Sequence, residues 1–94
     1  MRVATVCGMG FGTSMMLKLS VDKILREAGI QAEVSPVDLG SVKSMQAELI
    51  VAPSDMRSHL ASLKVPVVYI DNLVNKAEIA ERVVPAAREI AEGS

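Results

Sequence analysis

Ninety-four residues hold one domain of useful size and leave little room for a second. Half of the residues are apolar but only 2% are aromatic, so the core must be built from Val, Ile, Leu, Ala and Met. A formal net charge of −1 with no basic cluster argues against nucleic acid or an anionic membrane surface as partners, and no apolar run nears the ~20 residues of a membrane span.

In chain order, Val3-Ala4-Thr5-Val6 predicts a buried strand that stops at Cys7. Because the first residues already form this strand, no signal peptide is expected. The single cysteine cannot close an internal disulfide, which fits a reducing cytoplasm. Gly8, Gly10 and Gly12 predict a tight turn, after which Thr13 or Ser14 is placed to cap a helix through its hydroxyl. Met16, Leu17, Leu19, Ser20, Ile24, Leu25 and Ala28 keep helical spacing, with Lys18, Asp22, Lys23, Arg26 and Glu27 opposite and Gly29 as carboxyl cap. Core packing is expected for at least one of Met15 and Met16.

Residues 32–37 alternate apolar and polar, and Pro36, which cannot donate to a ladder, places that strand near a sheet edge. Asp38, Gly40 and Ser41 predict a turn, with a short helix from Val42 to Gln46. The run Glu48-Leu49-Ile50-Val51-Ala52 predicts a strand covered on both faces, and Ser54 or Asp55 can cap a helix reaching about Ser62. Residues 65–70 predict a fourth strand, stopped at Asp71-Asn72. From Lys76 to Glu92 the apolar positions are helical in period, and Pro85 is expected to kink that helix or begin a second piece. Alternating strands and helices predict an α/β fold with a parallel sheet and helices on both faces, and in such sheets ligands bind at the strands' carboxyl ends.

Cys7 stands at one of those ends, between a strand and a glycine-rich turn that opens a helix. Unpaired amides and the helix dipole favour an anion there, and the same field lowers a thiol's pKa. Glycines at 8, 10 and 12 lack the third glycine, at 13, of a dinucleotide fingerprint. A Walker loop would need a Lys before the hydroxyl residue, and thioredoxin-type exchange a second Cys; neither is present. Cysteine, five residues, then positions 13 and 14 is the spacing of the low-molecular-weight tyrosine phosphatase loop, where an Arg occupies the place of Thr13. Without that guanidinium, the pattern suits accepting and passing on a phosphoryl group better than hydrolysing it. His59 lies among polar residues and reads as solvated surface, and no cluster suggests a metal. Ser54, Asp55, Arg57 and Asp71 follow strands three and four and are open candidates for the rim of the loop.

The stretch from Val3 through Cys7-Gly8-Met9-Gly10-Phe11-Gly12-Thr13-Ser14, with Met15-Met16 opening the helix, resembles the IIB components of the bacterial sugar phosphotransferase system, most closely the ascorbate-type branch. The motif covers the first fifth of the chain, and length and element order agree along nearly all of it. The resemblance implies one IIB-type domain over residues 1–94, with a four-stranded parallel sheet of order 2-1-3-4. It implies that Cys7 takes a phosphoryl group from a phosphohistidine on a IIA protein. The group then passes to ascorbate or a related carbohydrate bound by a membrane-embedded IIC transporter. The phosphate would be cradled by Gly8, Met9, Gly10, Phe11, Gly12, Thr13 and Ser14, with no cofactor, no metal and no membrane insertion of this chain. Met9, Phe11, Met15 and Met16 could border the loop as an apolar docking patch. Two alternatives remain open on the residues alone: a low-molecular-weight phosphatase-like enzyme, and a non-catalytic anion-binding module.

Overall fold

Strand β1 (Arg2–Val6) carries four consecutive buried residues, Val3 to Val6, which only a strand at the middle of a covered sheet can do. In a computed structural model describing residues 1–6, 11–42, 44, 46–61, 63–72 and 74–93, without the side chains of 11–14, 39 and 93, β1 takes that place. It pairs in parallel with β2 (Glu33–Val37) on one side and β3 (Leu49–Pro53) on the other, and β3 pairs with β4 (Val67–Ile70). The strand order is β2-β1-β3-β4, as expected. Register sets Val3 beside both Val34 and Leu49, and Ala52 beside Tyr69. Pro36 lies on the edge strand β2, where its missing N–H is tolerated, and the apolar run of β3 is interior.

Side-chain alternation sorts these strands onto two cores. On one face Val3, Leu49, Val51 and Ile70 meet Leu17, Val21 and Leu25 of α1 (Phe11–Glu27) and Ile79, Val83 and Ala87 of α4 (Lys76–Gly93). On the other, Ala4, Val6, Ile50 and Ala52 meet Val42 of α2 (Leu39–Val42), Ala47, Met56, and Leu60 of α3 (Arg57–Leu60). Helices therefore cover both faces. Among the described residues, no helix is long and apolar enough to cross a membrane.

Several local expectations are corrected. Helix α1 begins at Phe11, so Thr13 and Ser14 lie inside its first turn and neither is the amino cap. Gly12 is helical too: burial of the Leu17–Val21–Leu25 stripe outweighs glycine's propensity cost of about 1 kcal/mol. That stripe is narrow. Met16 and Leu19, about 100° and about 200° round the helix from Leu17, are each 56% exposed, and Met15 is 47% exposed, so neither methionine is core. Gly29 does close α1: its φ is 78°, its N–H donates to the Arg26 carbonyl, and the Ile30 N–H donates to that of Leu25. This is a Schellman arrangement, with Ile30 packed against the core cluster that contains Leu25.

Helix α2 starts three residues earlier than expected, with Gly40 and Ser41 inside it, because Asp38 acts as its cap and accepts the Ser41 N–H at 2.7 Å. Ser54 and Asp55 are not caps. Pro53 leads straight into a 3-10 turn (Ser54–Met56), the Arg57 N–H donates to the Ser54 carbonyl, and no side-chain cap bond forms at either helical start. Strand β4 is shorter than expected, although the Pro66 carbonyl still accepts the Ile50 N–H at 3.0 Å. Helix α4 runs through Pro85 with no second piece. Pro85 and Glu81, whose carbonyl loses its usual donor, are both exposed, so water can serve that carbonyl.

Leu17 is 1% exposed and lies between sheet and helix, so Leu17→Ala should cost about 2–5 kcal/mol, read as a lower urea midpoint with an unchanged m-value.

Candidate functional site

A parallel sheet gathers the carboxyl ends of all its strands along one rim. In the order β2-β1-β3-β4 the chain leaves β1 to one side and returns on the other, so the topological switch falls between β1 and β3. Val6 ends β1 at that point, and Cys7 is the next residue in sequence. Cys7, Gly8, Met9 and Gly10 lie outside the described residues. Phe11, Gly12, Thr13 and Ser14 form the first turn of α1 as backbone, which replaces the expected loop over that half of the motif. The first amides of a helix have no partner within it, and this first turn holds no acidic side chain to occupy them. The start of a 17-residue helix therefore presents N–H donors and a partial positive charge beside the switch point.

Of the other flagged residues, Ser54, Asp55 and Asp71 are brought together. With Pro53 and Ile70 they line a depression of about 310 Å³ at the carboxyl ends of β3 and β4. Asp71 is engaged there. Its Oδ2 accepts from Arg82 Nη2 at 3.2 Å, and the same guanidinium donates through Nη1 to the Tyr69 carbonyl at 2.9 Å. Glu78 completes the group: its carboxylate accepts the Asp71 N–H at 2.6 Å and the Asn72 N–H at 3.3 Å, and lies 3.7 Å from Arg82 Nε. The turn into α4 is further fixed by Asn75, whose side chain accepts the Glu78 N–H at 3.1 Å. Arg57 is not in the depression; its guanidinium lies 4.7 Å from the centroid of the Tyr69 ring. His59 is exposed, and among the described residues no three His, Cys, Asp or Glu side chains are grouped as metal ligands.

The role of Glu78 and Arg82 was missed in the sequence because both sit on the polar side of a helix, where charge ordinarily means solvation. The only usable signal was Asn75 followed three residues on by Glu78, a capping pattern in which the Glu reaches back beyond the cap to the end of β4. Depressions of about 410 and 450 Å³, sharing Gln31 and Ala32, lie at the opposite end of the sheet and hold none of the flagged residues.

At the carboxyl end of β2, the Asp38 carboxyl is held below its ordinary value by the Ser41 hydroxyl, then by the Ser41 amide and least by the Gly40 amide, with desolvation opposing them.

A sequence model of the PTS system lactose/cellobiose-specific IIB subunit family matches residues 2–83. The ascorbate-specific PTS system EIIB component of Mycoplasma pneumoniae is 32% identical over 84 residues, covering 86% of this chain and 88% of that protein. Its namesake from Shigella dysenteriae serotype 1 is 29% identical over 91 residues, covering 94% and 90%. Among solved structures, the lactose-specific IIB domain of Streptococcus pneumoniae superposes with a TM-score of 0.60 over 98% of this chain and 95% of that one; at 16% identity the likeness is one of fold.

A depressed carboxyl pKa stabilises the fold above the unfolded value and is lost as pH falls through the folded one. Asp38→Ala should therefore lower Tm at neutral pH, with the gap to wild type closing only below the ordinary carboxylate range; an undiminished gap in strong acid would refute this assignment.

Proposed function

The chain belongs to the PTS lactose/cellobiose-specific IIB subunit family, and on that premise we propose that it is a phosphocysteine carrier whose acceptor is Cys7. A IIB component is a phosphotransferase of a sugar phosphotransferase system, working with the IIA and IIC components of the same system. In the proposed relay the Cys7 thiolate attacks the phosphorus of a phosphohistidine on IIA. The N–P bond breaks, the electron pair returns to the imidazole and an S–P bond forms. The S–P bond then breaks in turn as a hydroxyl of the substrate held by IIC takes the phosphoryl group, loses its proton to solvent, and restores the thiolate. The names of the similar proteins favour ascorbate as that substrate. The working unit is a single IIB-type domain over residues 1–94, acting on the cytoplasmic side.

One observation carries this reading. Val6 ends the central strand at the switch point, Cys7 is next in sequence, and the helix from Phe11 has first-turn N–H donors with no partner inside the helix and no carboxylate there. The motif residues Gly8, Met9, Gly10, Phe11, Gly12, Thr13 and Ser14 are proposed to supply those donors, and positioned amides are the means of stabilising a phosphoryl group in transfer. The exposed Met15 and Met16, beside this helix start, suit contact with successive partners.

The rival reading, a phosphatase, fits less well. No Lys or Arg lies between Cys7 and Ser14, and Asp71, one of the two acids flagged for the rim, is tied to Arg82. A non-catalytic anion-binding module would not need the thiol.

The test is mass spectrometry after incubation with phosphoenolpyruvate, the general phosphotransferase proteins and a IIA partner. Wild type should gain one phosphoryl group, and Cys7→Ser, with unchanged circular dichroism, none. Retention of the label in Cys7→Ser would overturn the assignment, and steady Cys7-dependent turnover of p-nitrophenyl phosphate would favour the phosphatase.

A further inference from the structure

Helix α1 carries three exposed large hydrophobic side chains, Met15, Met16 and Leu19. Leu19 follows Met15 by four residues and Met16 by three, the spacings of neighbours on a helix surface, so the three make one apolar patch. The stripe Leu17–Val21–Leu25 seats this helix on the core without them. Plain hydrocarbon, as in Leu19, could form such a patch alone. Two adjacent thioethers add a chemistry that hydrocarbon lacks, because divalent sulfur gives up an electron pair to oxidants.

The other described methionines sit differently. Met56 is 6% exposed, against 47% for Met15 and 56% for Met16, and belongs to the closed cluster of Ile50, Ala52 and Leu60. Met1 is half-buried and packs against the other core cluster. Met9 and Met45 lie outside the described residues.

We infer that Met15 and Met16 form a reversible oxidation site whose co-substrate is a peroxide, and that oxidation there changes the surface while the fold stays intact. In each event the sulfur lone pair attacks one oxygen of hydrogen peroxide. An S–O bond forms, the O–O bond breaks, and the departing hydroxide takes a proton to become water. Sulfur loses two electrons and the peroxide gains them. The product is a sulfoxide, whose polar oxygen needs hydrogen bonds. At Met56 that oxygen would enter an apolar cluster at high cost, whereas at Met15 and Met16 water satisfies it directly. Reversal is equally open, since a methionine sulfoxide reductase must grip the side chain and an exposed helix face permits this. The sulfoxide oxygen then leaves as water while two thiols of the reductant close to a disulfide. An apolar patch thus becomes polar and back again with no part of the core rebuilt.

The test exposes the full chain carrying Cys7→Ser, which removes the competing thiol, to hydrogen peroxide. Tandem mass spectrometry then locates each added oxygen over time. Met15 and Met16 should each gain one oxygen severalfold faster than Met56. Wild type with its thiol held as a mixed disulfide should give the same map, which guards against a fold disturbed by the serine. The fraction oxidised only at Met15 and Met16 should keep the Tm and circular dichroism of the starting protein, and should elute earlier from a hydrophobic-interaction column. Methionine sulfoxide reductases acting on both sulfoxide epimers, with dithiothreitol, should restore the original mass and elution. Met15→Leu/Met16→Leu should show a smaller elution shift under the same treatment. Met56 oxidised as fast as the pair, a lowered Tm in the fraction oxidised only there, sulfoxides that the reductases leave in place, or an undiminished shift in the double variant each overturns the assignment.

Discussion

The burial of β1 on both faces is the constraint from which the rest follows. Val3, Ala4, Thr5 and Val6 have no solvent side, so this strand must be flanked by others and covered above and below. Flanking by β2 and β3 is achieved with parallel pairing, which requires a crossover for every return, and the crossovers supply the helices that cover both faces. Because β1 is first in sequence and second in space, its exit is also where the chain's direction of travel across the sheet reverses. Val6, the last residue of β1, thus occupies a place that the core determines.

That origin explains why the two ends of the sheet differ so much. At the amino ends the chain arrives through short connections, such as the Schellman turn at Gly29 and the pairing of the Glu33 N–H with the Met1 carbonyl. At the carboxyl ends each strand hands over to a helical start, and each start is solved separately: Asp38 caps α2, Pro53 forces a 3-10 turn, and Glu78 with Asn75 braces the turn into α4. Three helical starts thus use carboxylates, a side-chain amide or a proline to settle their own geometry. The first turn of α1 holds no acidic side chain, which keeps negative charge out of the position where an anionic ligand would sit.

Much of this frame was legible in the chain. Continuous apolar runs gave β1 and β3 as interior strands, Pro36 gave the edge, and Gly29 gave the end of α1. Period alone failed where two signals competed. Met16 and Leu19 obey helical spacing loosely, but a helix lying on a flat sheet buries only a narrow stripe, and Leu17, Val21 and Leu25 fill it. Thr13 and Ser14 look like caps because hydroxyls often are, yet packing extends the helix back to Phe11 through an unfavourable glycine. Pro85 looks like a break, but its exposed face makes the lost hydrogen bond tolerable. At the rim, Asp71, Ser54 and Asp55 were found because they end strands. Glu78, Arg82 and the Arg57–Tyr69 pair were not, because their meaning depends on which strands are neighbours, and no local pattern records that.

A relay component also works under the energetic restriction of any enzyme that passes through a covalent phosphoryl intermediate. Binding the phosphorylated intermediate tightly lowers the energy of the state that must next be left, so strong permanent charges around it would slow the onward step. Main-chain donors provide moderate stabilisation that changes little as the phosphoryl group arrives and departs. The lack of Lys and Arg in the segment between Cys7 and Ser14 then suits transfer, since a site built to hold phosphate firmly would be poorly suited to giving it away.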